Sequence, residues 1–201
     1  MELYLRTDES EEAVSALEMA ADRLANVEGD IYQWKWAIIA LHNAAQGFMV
    51  LALRGSNGFD VLGRKAARAW TEAIAAGKTP PPGDRLETYL NLYSRTKGQR
   101  MIRYVNSRKF EPVGAQESSI KELNGLRNDF VHFLPKGWSL EVTGLPAMFE
   151  DVLAYMEFLA WDSGNVVWVE EDLETRARTA LDAARLEASS QARIYLTRAS
   201  G

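Results

Sequence analysis

Apolar positions recur at helical spacing through most of the chain. After Asp8 and Glu11, which suit a helix N-terminus, Ala13, Leu17, Ala20 and Leu24 lie on one face of a first helix, and Asn26 to Gly29 read as its stop. Asp30 with Gln33 opens a longer second helix carrying Trp34, Trp36, Ile38, Ile39, Leu41, Phe48, Met49 and Leu51, ended by Gly55. That helix is apolar nearly all round, so it is expected at the centre of the fold.

A short polar loop, Ser56-Asn57-Gly58, leads to a third helix over about 60–76, closed by Gly77 and the breaker Pro80-Pro81-Pro82. Asp84 with Glu87 predicts the cap of a fourth helix bearing Leu86, Tyr89, Leu90 and Tyr93. The stretch from Gly98 to Phe110 is basic and compatible with a helix. Ser119 with Glu122 reads as a capping box for a fifth helix, which Pro135 and Gly137 stop. Pro146 suits the first turn of a sixth, running through Phe149, Leu153, Met156 and Leu159 to Gly164.

Val166-Val167-Trp168-Val169 fits a short strand or an extended connector. The acidic run Glu170, Glu171, Asp172 and Glu174 starts a last, weakly amphipathic helix that reads as an added arm or oligomer contact. Six to eight helices without internal repeats predict an all-α helical bundle. Residues 1–164 form the bundle in this reading, and 165–201 form a C-terminal helical extension packed on the domain or on a partner subunit.

Composition narrows the function classes. The 201 residues are 47% hydrophobic and 25% charged, which suits a folded core rather than disorder. There is no cysteine, so no disulfide, thiolate metal site or thiol nucleophile can form. The acidic start, Asp8 to Glu12, is the reverse of a secretory leader, and cytoplasmic residence is expected. His42, Asn43 and Gln46 interrupt the most apolar segment, 36–53, so a core helix is favoured over a membrane span. The formal net charge of -5 gives no general attraction to nucleic acid; any such contact needs a local basic face.

Only two histidines, His42 and His132, are present, and the usual metal motifs are absent; no metal or cofactor is expected. Gly58 to Lys65 has the two glycines of a phosphate loop but not the Lys-Ser/Thr that must follow the second, and reads as a helix-entry loop. No Gly-x-Ser-x-Gly occurs.

The informative stretch is 121–133. At about 100° per residue, Ile120, Leu123, Leu126, Phe130, Phe133 and Leu134 share an apolar stripe. Asn128 and His132 fall almost opposite it and four residues apart, so the amide could orient the imidazole. Arg127 lies at the stripe's edge. Arginine offers phosphate a rigid cationic fork, and histidine moves protons near neutral pH. The plainer alternative is that His132 is a surface, packing or subunit-contact residue.

Two further groups stand out. Arg95, Lys97, Arg100, Arg103, Arg108 and Lys109, interleaved with Tyr93, Tyr104 and Phe110, could hold phosphates and stack bases, or be an ordinary solvated face. His42, Asn43 and Gln46 read first as buried polar groups satisfied by neighbours, and otherwise as a second layer around the motif.

Arg127-Asn128-x-x-x-His132 resembles the Arg-x4-6-His motif of the HEPN superfamily, in its form with a polar residue after the arginine. Helix order and the long apolar helix before the motif extend the resemblance over roughly residues 8–164. The resemblance implies a HEPN-like helical bundle, a homodimer with both motifs in one cleft, and metal-independent cleavage of RNA through its 2′-hydroxyl. His132 would transfer the proton, Arg127 would stabilise phosphoryl charge, and Asn128 would orient either. Toxin–antitoxin and defence systems use such enzymes, so an antitoxin partner is a further expectation. The competing expectation is a non-catalytic HEPN-like dimerisation or nucleotide- or RNA-binding module.

Overall fold

The computed structural model describes residues 3–79, 85–132, 135 and 137–199. Among these residues there are seven α-helices: α1 (Glu9–Ala25), α2 (Gln33–Leu53), α3 (Arg64–Ala75), α4 (Tyr89–Thr96), α5 (Gln116–Val131), α6 (Leu145–Glu157) and α7 (Glu171–Ala199). No strand is present among the described residues, only an isolated bridge between Leu62 and Leu86. The fold is an all-α bundle.

Asp8 caps α1 by accepting the backbone N–H groups of Ser10 and Glu11, which holds its carboxyl below the usual range. The central helix is α2, with Trp34, Ile38, Leu41, Phe48, Met49 and Leu53 fully buried. Its composition would also suit a membrane span. Here the apolar surface is covered by α1, α4, α5 and α6. The α1–α2 contact is the most extensive, and Gly47 permits it: a Cβ there would sit 2.7 Å from that of Ala13. Such close approach of two backbones is a place where glycine is required.

Helix α6 opens with Pro146 in its first turn and ends in a π-helical turn, Phe158–Asp162. Gly164 follows in the left-handed region at φ +73, and a Cβ there would meet the Asn106 carbonyl at 2.5 Å. Beside it the buried Asn165 amide donates to the carbonyls of Ala52 (3.1 Å) and Met101 (2.8 Å) and accepts from Ser107 Oγ (2.6 Å). One side chain thus ties the end of α2, the 99–107 segment and the start of the final connector.

Several elements differ from the sequence expectation. The third helix is split, with a 3-10 turn at Phe59–Val61 and α3 starting only after Gly63. Leu86 is not on the fourth helix; it bridges to Leu62, and α4 begins after Thr88. The breaker at 80–82, the expected cap Asp84, and Phe133 and Leu134 lie outside the described residues. The basic stretch after Gly98 holds one 3-10 turn, Gln99–Met101, and is otherwise irregular.

Ser119 does not cap α5. The helix starts three residues earlier, where Gly114 at φ +56 reverses the chain and the Gln116 carboxamide accepts the Val113 N–H. Ser119 is instead buried inside the helix and donates to Asp151 of α6 at 2.6 Å. The 166–169 segment is a connector without regular secondary structure, not a strand.

Helix α7 lies on α1 and α6, and Leu173, Ala177, Leu181, Ala184 and Ala188 are buried in the common core. Its small residues let a long, weakly amphipathic helix seat closely. Arg176 pairs with Glu11 and Glu18 of α1, and Arg185 with Glu157 of α6; both partners Glu18 and Glu157 are held below the usual carboxylate range by these bonds. It is a core-bearing helix rather than a free arm.

Candidate functional site

The motif lies at the C-terminal end of α5. Ile120 and Leu123 are fully buried against the bundle while Leu126 and Phe130 are partly buried, so the apolar stripe fixes the rotation of the helix. Asn128 and His132 are exposed and Arg127 is half-buried. His132 is not within the helix but is its C-cap, with its N–H donating to the Asn128 carbonyl at 2.8 Å.

The Asn128 side chain turns toward Arg127 rather than His132: its Oδ1 accepts from Arg127 Nη1 at 3.1 Å. Among the described residues no hydrogen bond joins the His132 imidazole to Arg127 or Asn128. Arg127 has no carboxylate partner among them either, and its Nε is buried without a hydrogen bond. An arginine held this way keeps its charge for an anion.

Arg127 and Asn128 line a cavity of ≈ 380 Å³ together with His42 and Gln46 of α2, Asn124 of α5 and the 86–90 segment. His42 is 2% exposed; its Nε2 lies 3.3 Å from Asn124 Oδ1, and its ring stacks on Tyr89 at 4.0 Å. With Asn124 Oδ1 as the acceptor, this contact assigns the proton to Nε2 and leaves Nδ1 as an acceptor. Burial pushes the His42 pKa down to about 4; the Asn124 bond opposes this, the nearby Arg127 charge adds to it, and Asn43 opposes it. His42 is therefore neutral near pH 7. Burial also raises the Tyr89 phenol.

Of the three second-layer candidates, His42 and Gln46 line this cavity and Asn43 does not; Asn43 is exposed and lines an adjoining groove. That groove, of ≈ 870 Å³, runs between α1 and α2, shares Gln46, Leu86 and Arg127 with the cavity, and carries the half-exposed Met19 and Trp36. Tyr89 and Asn124 were missed by sequence reasoning. Asn124 had a signal, since it lies four residues before Asn128 on the same helix face. Tyr89 had none.

The basic cluster is largely committed to internal partners. Arg95 donates to the carbonyls of Asp60 and Leu62 and forms a mostly buried ion pair with Glu87. Arg100 and Arg103 both pair with Asp60, and Arg103 also caps the Leu53 carbonyl at the end of α2. Lys97 pairs with Glu117 and sits over the Tyr93 ring, and Arg108 binds Asp162. Tyr93 and Phe110 are buried against Tyr155, whereas Arg100, Tyr104, Arg108 and Lys109 are exposed.

Gly58 to Lys65 forms the 3-10 turn and the entry to α3. Among the described residues no three His, Asp or Glu side chains gather as a metal site requires. Compared with known proteins, the chain matches no family model, no curated protein and no solved structure.

Proposed function

We propose that the protein is a HEPN-type, metal-independent endoribonuclease centred on Arg127, Asn128 and His132, of the kind that serves as a toxin or defence effector. The observation that carries this reading is the Arg127 guanidinium. It lines the cavity, free of carboxylates among the described residues and braced by Asn128, five residues before the exposed His132 that caps the end of the same helix.

In the proposed reaction a base removes the proton of an RNA 2′-hydroxyl, whose oxygen attacks the adjacent phosphorus. The P–O5′ bond breaks, leaving a 2′,3′-cyclic phosphate and a 5′-hydroxyl that takes up a proton. His132 serves as the proton-transfer group and Arg127 stabilises the charge growing on the phosphoryl oxygens. His42, being neutral and buried, is assigned to the wall of the site rather than to proton transfer.

A homodimer completes the reading. A two-fold axis near the end of this helix would bring the Arg127, Asn128 and His132 of two chains together. The alternative is a non-catalytic dimerisation or RNA-binding module, favoured by the half-exposed Trp36 and Met19 along the groove that runs up to Arg127. Incubating a mixed single-stranded RNA pool with wild type and His132→Ala decides between them. Cleavage lost in the variant supports the enzyme; no cleavage by wild type, or equal cleavage by both, overturns it.

A further inference from the structure

Five buried side-chain polar atoms among the described residues have no hydrogen-bond partner, and three of them belong to residues lining one cavity: His42 Nδ1, Tyr89 Oη and Arg127 Nε. Native interiors rarely leave such groups unmatched; these three are closed to solvent and back the cavity wall, so the groups a ligand would meet are the others of the lining. The cavity, at ≈ 380 Å³, falls in the range of small-ligand sites.

The chemistry of the lining is specific. Gln46, Asn124 and Asn128 contribute three carboxamides. Among the described residues Gln46 makes no side-chain hydrogen bond, and Asn124 and Asn128 use only their oxygens, toward His42 and Arg127. Donors and acceptors of amide type thus face the space uncommitted. Leu86 and Leu90, 40% and 39% exposed, supply apolar lips. The one carboxylate, Glu87, is already occupied by Arg95, Asn91 and the Thr88 N–H. A flat ring with amide-like edges, attached to an anion that reaches Arg127, satisfies all these features.

We propose that this cavity is a nucleobase subsite, taking an adenine whose attached phosphate binds Arg127. A carboxamide pairs in bidentate fashion with adenine N6 and N7, which assigns Gln46 as the reading group and Asn124 as its neighbour. The neutral His42, stacked on Tyr89 and tied to Asn124, fixes the position of that neighbour. This rests on the ribonuclease reading for the phosphate, and adds to it a preference for cutting next to adenosine.

The test is calorimetric titration of the full chain with each of the four nucleoside 3′-monophosphates and with inorganic phosphate. Adenosine 3′-monophosphate should bind roughly tenfold or more tightly than the other probes. Gln46→Leu should bring it to the level of the others while leaving phosphate binding and melting temperature unchanged, and Asn124→Leu should act in the same direction. Equal binding of all four nucleotides, binding of none, or a preference that survives Gln46→Leu overturns the subsite. The two readings fail separately. Adenosine-selective binding without RNA cleavage removes the ribonuclease and leaves the subsite. Cleavage that depends on His132, but whose cut sites are indifferent to adenine and to Gln46→Leu, removes the subsite and leaves the ribonuclease.

Discussion

Asn124 Oδ1 lies 3.3 Å from Nε2 of His42, linking the helix that carries the motif to the central helix of the bundle one turn before Arg127. The link sets the imidazole tautomer and leaves a neutral, buried histidine beside a cationic arginine. Motif geometry and core stability are therefore coupled at this contact.

Under the proposed mechanism, His132→Ala and Arg127→Ala should each lower RNA cleavage by about two to four orders of magnitude. Arg127→Lys should rescue little, because an ammonium does not reproduce the guanidinium fork. The double variant should be scarcely worse than either single one, since groups acting on one phosphate fail together. His132 is exposed, so its variant should melt with the wild type. Initial rates on a single-stranded RNA and thermal melts check all four.

Cleavage should persist in excess EDTA, because the proposed steps use only His132, Arg127 and the substrate's own hydroxyl. A time course with and without chelator, and with Mg²⁺ or Mn²⁺ restored, is the measurement; loss in EDTA with recovery on metal addition would contradict the mechanism.

Light scattering at micromolar concentration should give a dimer. The half-exposed Trp36, 50% accessible, lines the α1–α2 groove that shares Arg127 with the motif cavity, and Trp36→Glu should shift the mass toward monomer. Under the shared-site reading the same variant should lose cleavage in parallel with dimer mass.

Stability should fall as pH drops from about 6.5 toward 4. The unfolded chain takes up a proton on His42 near its ordinary value of 6.5, whereas the folded protein resists until about 4, so folding is fully favoured above 6.5 and loses ground through that window. The loss is bounded at about 3 kcal/mol, and several carboxylates held below their ordinary values add to it only at the acid end. Urea melts between pH 7 and 4.5 should show this slope, and His42→Gln should flatten it.

Asn165→Ala should cost about 2–4 kcal/mol, since its loss strands two carbonyls and a hydroxyl in a buried corner. Gly164→Ala should also destabilise, because φ +73 and the Asn106 carbonyl both oppose a Cβ. Denaturant midpoints for the two variants test the corner; wild-type stability in either would refute its role.

Much of the helix order was legible because periodicity and stop residues are local. Asp8 at the start of α1, the all-round apolar α2, Pro146 in α6 and the glycines at 55, 77 and 164 all act within a turn or two of their own position. Where a local signature had a competing tertiary use, it misled. Ser119 with Glu122 has the spacing of a cap, but a serine hydroxyl gains more inside the bundle by donating to Asp151. The run of arginines after Tyr93 has the look of a basic face, yet Asp60, Glu87, Glu117 and Asp162, some far off in sequence, neutralise most of it.

The sequence by itself determined an all-α bundle around one apolar helix, and it singled out Arg127, Asn128 and His132 near the C-terminal end of α5. Only the tertiary structure decided which groups share a cavity. His42 and Tyr89 are far apart along the chain but stack at 4.0 Å; Asn128 turns to Arg127 instead of His132; α7 joins the core through a row of small residues. The reason is physical. Helix formation is set by neighbours three and four residues apart, which a sequence displays, whereas burial, ion pairing and the partners of polar atoms are set by which helices meet and at what rotation.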